Sequence, residues 1–154
     1  MKTILVPIDL SPISRRVLAE AVKLARTFDA RVVAMHVVKP PEIVSELSPL
    51  AGEALQITDE VEKGARRTLQ GWQKRLAAAG HAIETLCARG FPVPTIVAAA
   101  KELDAAYIVL GSHGHGALYD LVVGGTTSGV MKRAGRLVVI VPATKTKARR
   151  ARRK

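Results

Sequence analysis

Short apolar, β-branched runs alternate with longer stretches of helical period along residues 3–141. Residues 3–8 (Thr-Ile-Leu-Val-Pro-Ile) read as a buried strand, stopped by Asp9 and the Ser11-Pro12 pair. Residues 31–38 (Arg-Val-Val-Ala-Met-His-Val-Val) form a second run. Its apolar content is nearly continuous rather than alternating, which requires cover on both faces and hence a parallel sheet. Further strands are expected at 81–88, 107–110 and 137–141, the third more polar and placed at a sheet edge. Between them lie four stretches of period 3.6. Ser11 as hydroxyl cap, with Pro12 at the first helical position, is expected to open the first helix, which buries Ile13, Val17, Ala21, Leu24, Ala25 and Phe28. The others span about 52–79, ended by Gly80, then 93–103 and 126–134. Strand–helix alternation of this kind implies a doubly wound parallel α/β sheet.

Length and charge narrow the remaining choices. The chain has 154 residues, enough for one domain with a substantial core, and 48% hydrophobic content excludes disorder throughout. No apolar run reaches the length of a membrane span. The first nine residues do not read as a signal peptide, because Pro7 interrupts the apolar run and Asp9 stops it, so a cytoplasmic location is expected. The single cysteine, Cys87, has no internal partner and reads as a small buried hydrophobe. The net charge is +11, but residues 145–154 carry seven basic residues and no acidic one. Without them the body holds 17 basic against 13 acidic residues, so the basic character is largely a tail property. Residues 1–143 are expected to be the folded domain and 144–154 a disordered tail. Residues 39–51, with three prolines, read as a long irregular connection.

The chemistry concentrates in glycines. Residues 107–110 end in Gly111-Ser112-His113-Gly114-His115-Gly116, and Gly124-Gly125-Thr126-Thr127 then opens a helical stretch. Glycine lets backbone N–H groups approach a ligand, and a helix N-terminus favours anions, so the pair of segments reads as a phosphate cradle. It is not a Walker loop: Ala117-Leu118 stand where Lys-Ser/Thr would be required. Nor is it the dinucleotide fingerprint G-x-G-x-x-G after a first strand. In open α/β sheets ligands bind beyond the carboxyl ends of the strands, where Pro7-Ile8-Asp9, Val37 and the glycines converge. Asp9 either bonds a ribose hydroxyl or base amino group, or caps the loop before Ser11-Pro12. His113 and His115 lack further metal ligands nearby and read as loop histidines. Trp72 and Tyr107 read as core. Asp120 reads as a solvent-facing loop carboxylate or as one orienting Mg2+ carried by a nucleotide. No Ser/His/Asp set, carboxylate pair or Cys/His pair assembles, and no base is placed to activate water, so at most slow hydrolysis is expected.

These residues resemble the ATP-binding universal stress proteins. Gly111-x-x-Gly114, nine residues, then Gly124 reproduces that family's glycine spacing, and Ile4-Leu5-Val6-Pro7-Ile8-Asp9 and Ala34-Met35-His36-Val37 resemble its first two strands. The resemblance covers residues 1–142 and implies a five-stranded parallel sheet, Rossmann-like and of the adenine nucleotide alpha hydrolase-like kind. It implies a homodimer joined through the last strand, Leu137 to Val141, and a nucleotide-dependent stress-response regulator. Carried over, base and ribose contacts fall on Pro7, Ile8, Asp9 and Val37, and phosphate contacts on Gly111, Gly114, Gly124, Gly125, Thr126 and Thr127, with ATP as ligand and Mg2+ possible beside it. Gly125 departs from the family, where Ser or Thr is usual; Thr126 or Thr127 is the replacement hydroxyl to look for. Bound nucleotide is expected to order residues 39–51 and 115–123. The alternative is a nucleotide-independent module tethered to nucleic acid or an anionic surface by its tail.

Overall fold

The computed structural model describes residues 1–41, 51–112 and 124–143. Five strands, β1 (Lys2–Pro7), β2 (Ala30–Val38), β3 (Glu84–Arg89), β4 (Ala105–Gly111) and β5 (Leu137–Val141), alternate with four helices. These are α1 (Ser14–Phe28), α2 (Ala51–Ala78), α3 (Pro92–Glu102) and α4 (Gly125–Arg133). All four strand pairings are parallel, in the order β3-β2-β1-β4-β5. The chain builds outward from β1 to β3 and then returns to build β4 and β5 on the other side. The order therefore reverses between β1 and β4, which is where such sheets open a crevice.

Alternation along each strand sorts the core into two layers. Ile4, Val6, Val32, Ala34 and Val109 face α1 and α2, where Val17, Leu18, Ala21, Ala65 and Leu69 meet them. Leu5, Val33, Met35, Ile108 and Leu110 face α3 and α4, where Ile96, Ala100 and Val130 meet them. Burying a side chain such as Ile4, Leu5 or Ile108 completely is worth roughly 1.5–3 kcal/mol each. The α3–α4 contact is close: a Cβ on Gly129 would lie 2.7 Å from Val93 Cγ2. Cys87 is buried, as its small-hydrophobe reading requires, and burial pushes its thiol pKa up. Trp72 and Tyr107 pack against the α1/α2 layer, and the Tyr107 ring stacks on Phe28 at 5.1 Å. β3 lies at the sheet edge, as its polarity implies. Across its exposed end, Arg89 binds Glu62 and Asp59 of α2, and the Arg89 and Arg66 hydrogen bonds hold the Glu62 carboxyl below the usual carboxylate range.

Most element ends lie within one or two residues of the sequence reading, and the starts of α1 and β3 shift for reasons visible in their hydrogen bonds. The first helix starts at Ser14, with Ile13 as N-cap, rather than at Pro12. Ser11 is not its cap: the Ser11 carbonyl accepts from Ser14 N–H at 3.0 Å within a turn, and Ser11 Oγ is buried without a partner among the described residues. Asp9 instead fastens the turn, its Oδ1 accepting from Ser11 N–H and Ser14 Oγ–H, each at 3.0 Å, and among the described residues no side chain caps the first backbone N–H groups of α1. The third strand begins at Glu84, because residues before it finish α2. Gly80 has φ +81, its N–H donates to Ala77 O, and His81 N–H donates to Leu76 O at 2.8 Å. That Schellman pattern commits His81 to the helix end.

Candidate functional site

A cleft of about 600 Å3 opens at the reversal of strand order. Pro7, Ile8 and Asp9 line it from the end of β1, Val37 from the end of β2, Gly111 from the end of β4, and Gly124, Gly125, Thr126 and Thr127 from the start of α4. Nine of the residues singled out in the sequence thus share one cavity. Gly114, His113, His115, Asp120 and the rest of residues 113–123 lie outside the described residues, as do 42–50 of the long connection and the tail 144–154.

The α4 side is tied down by a few hydrogen bonds. Ser112 N–H donates to Val141 O at 2.9 Å, and Ser112 O accepts from Gly124 N–H at 2.9 Å. Ser112 Oγ also accepts from Ala143 N–H at 3.0 Å, so one serine fastens the ends of β4 and β5 to the mouth of α4. Thr127 is buried, and its hydroxyl donates to Gly111 O at 2.9 Å. Of the two threonines, Thr127 is therefore spent on holding the helix start against β4, whereas Thr126 is exposed. The first intrahelical bond runs from Ser128 N–H to Gly124 O. The N–H groups of the turn before it lack helical partners and give the cleft a positive pole. An added Cβ on Gly125 would meet nothing within 4 Å, so this glycine keeps the helix mouth open without steric need.

The β1 side is more polar than the sequence suggested. Asp9 is exposed at the cleft, while its Oδ1 holds the loop before α1 through Ser11 N–H and Ser14 Oγ–H. The loop-capping reading of this residue is the one these bonds bear out, and the residue also lines the cavity. Sequence reasoning passed over Ser14, His36, Lys39 and Pro92, which also line the cleft. His36 is half-buried and its Nδ1 lies 2.8 Å from Ile8 O. Pro92 opens α3, whose crossover from β3 to β4 carries its N-terminus over the same crevice. Among the described residues, no three His, Cys, Asp or Glu side chains gather as metal ligands. No helix among them is long and apolar enough to cross a membrane.

Fold and cleft together define a doubly wound α/β protein with a ligand crevice at its switch point. The model of the Universal stress protein family matches residues 1–142, and the chain belongs to that family. Universal stress protein YxiE of Bacillus subtilis is 32% identical over 144 residues, covering 89% of this chain and 96% of its own. The solved universal stress protein UspA from Lactobacillus plantarum is 28% identical with a TM-score of 0.79, over 91% of this chain and 97% of its own. A universal stress protein from Archaeoglobus fulgidus, solved in complex with dAMP, is 24% identical with a TM-score of 0.62, over 91% and 97% of the two chains. That last likeness is one of fold.

Proposed function

We propose that the cleft binds an adenine nucleotide, ATP, and that the protein acts as a nucleotide-dependent regulator in a stress response rather than as a dedicated catalyst. The observation that carries this reading is the meeting of Pro7, Ile8, Asp9 and Val37 with Gly111 and Gly124–Thr127 around one cavity. Its volume of about 600 Å3 suits a ligand of nucleotide size. The base lies against Pro7 and Val37, and Asp9 accepts from a ribose hydroxyl. The phosphates, with any Mg2+ they bring, sit at the α4 mouth, where N–H groups and the helix dipole favour anions. Thr126 supplies the hydroxyl that Gly125 lacks. The dAMP complex of the Archaeoglobus relative supports an adenine nucleotide as the ligand class. Isothermal titration should give saturable ATP binding at one site per chain, and heat-denatured protein should release adenine nucleotide. Absence of saturation up to about 1 mM ATP, roughly −4 kcal/mol, overturns the reading.

The protein further acts as a homodimer through β5. That strand ends the sheet and leaves one edge unpaired among the described residues, and Leu137 at its start is 64% exposed. An open strand edge is a template for pairing with a second copy. Sedimentation equilibrium should return twice the chain mass of 16.5 kDa; a single species at 16.5 kDa removes the proposal.

A further inference from the structure

We infer that His36 is a positioning residue for the nucleotide site: its imidazole takes the Ile8 carbonyl and so keeps the Val37 backbone available to the ligand. This rests on the adenine-nucleotide reading of the cleft for its functional meaning, though not for its geometry. The β1–β2 ladder runs in register from Lys2↔Ala30 to Pro7↔Met35. Its last rung is Ile8 N–H to Met35 O at 2.8 Å. In a parallel ladder the next rung would be Val37 N–H to Ile8 O, since backbone groups of alternate residues point to the same neighbour. That rung is not made: Ile8 lies outside the strand, and its carbonyl is held by His36 Nδ1 at 2.8 Å.

A carbonyl only accepts, so Nδ1 carries the proton, and this fixes the tautomer of the neutral ring. Met35 directs its carbonyl at β1, so Val37, two residues on, directs its N–H and C=O the same way. With no rung to close, those groups face the gap where β1 leaves β2. Val37, Ile8 and His36 all line the cavity at that gap. The chain is turned out of the ladder just beyond, at Leu10 with φ +63, and Asp9 fastens the turn to α1. His36 thus ends the strand pairing by side-chain substitution. One main-chain donor and one acceptor are left at the cleft wall for a ring nitrogen and an amino group.

Removing the imidazole lets Val37 N–H close on Ile8 O. The fold keeps a hydrogen bond while the ligand loses one. His36→Leu is therefore expected to weaken ATP binding at least tenfold with little change in Tm. His36→Asn places an amide N–H at the Nδ1 position and is expected to stay within about threefold of the parent. Amide hydrogen exchange without nucleotide gives a second readout. The Val37 N–H should exchange rapidly in the parent and in His36→Asn, and become protected in His36→Leu. Equal Val37 protection in all three proteins overturns the inference whatever their ATP affinity. So does equal ATP affinity of the parent and His36→Leu. If the parent binds no ATP, the nucleotide reading falls, and the exchange data alone decide whether His36 ends the ladder.

Discussion

Gly125→Glu should abolish most ATP binding while leaving the fold at least as stable, and Gly125→Ser should tighten binding. Gly125 is the first residue of α4, exposed, with nothing within 4 Å of an added Cβ. The backbone thus accepts a Cβ without a clash, and the variants differ in the group they carry beyond it. A carboxylate in the first turn of a helix is favourable by about 0.3–1 kcal/mol, so Tm holds or rises. The same carboxylate meets the phosphates of ATP. Two unit charges about 4 Å apart repel by about 4 kcal/mol near a protein surface, and exposure reduces this to roughly 2–3 kcal/mol. ATP affinity should fall roughly 30- to 150-fold by calorimetric titration. A serine hydroxyl adds one hydrogen bond to a phosphate oxygen, about 1 kcal/mol, or about fivefold tighter binding. The order Ser above Gly above Glu is the expected result. Equal affinities would move the phosphates away from the α4 mouth.

The parts of the fold legible in the sequence are those set by one-dimensional pattern. Leu137–Val141 is a run of five apolar residues closed by Pro142, and β5 is found there as expected. The continuous run in β2 required two covered faces, and the two core layers supply them. What the pattern misplaced were ends decided by local hydrogen bonds of turns and helix stops. Ser11-Pro12 carries the composition of a helix start, yet the Ser11 carbonyl closes a turn on Ser14 N–H, Asp9 fastens that turn, and the helix begins at Ser14.

The cleft shows the same division. Strand ends and the α4 glycines were legible because a doubly wound order sends every strand end to one side of the sheet. His36 was not, because a histidine inside an apolar strand reads as core until the Ile8 carbonyl is seen 2.8 Å from its ring. Thr127 was expected among the phosphate contacts, and Ser112 was given no role of its own. Only the bonds from Thr127 Oγ1 to Gly111 O and from Gly124 N–H to Ser112 O show that they hold the α4 mouth against β4. That assignment narrows the family departure at Gly125: the hydroxyl left exposed is that of Thr126.

Gly90→Ala should cost about 3 kcal/mol of stability, the largest folding effect expected of a single added methyl here. Gly90 joins β3 to α3 with φ +148, a backbone conformation that L side chains rarely adopt, and its N–H donates to Val38 O at 3.0 Å. The strain is worth about 1–3 kcal/mol. A Cβ would also lie closer than 3.0 Å to Thr95 Oγ1, whose hydroxyl donates to Phe91 O at 2.7 Å at the N-cap of α3. Overpacking of that kind adds about 1–3 kcal/mol, partly relieved by rotation of Thr95. For a domain of this size the sum lowers Tm by about 6–12 °C. A double-mutant cycle with Thr95→Ala separates the two causes. If crowding dominates, Gly90→Ala in the Thr95→Ala background should recover at least about 1 kcal/mol; if backbone strain dominates, the cost persists unchanged. Urea denaturation of the four proteins gives the cycle, and a Gly90→Ala cost below about 0.5 kcal/mol contradicts both causes. The consequence reaches the cleft, because Pro92, two residues on, lines it. Any shift that relieves Gly90→Ala moves the start of α3, so the residual folded protein should also bind ATP more weakly.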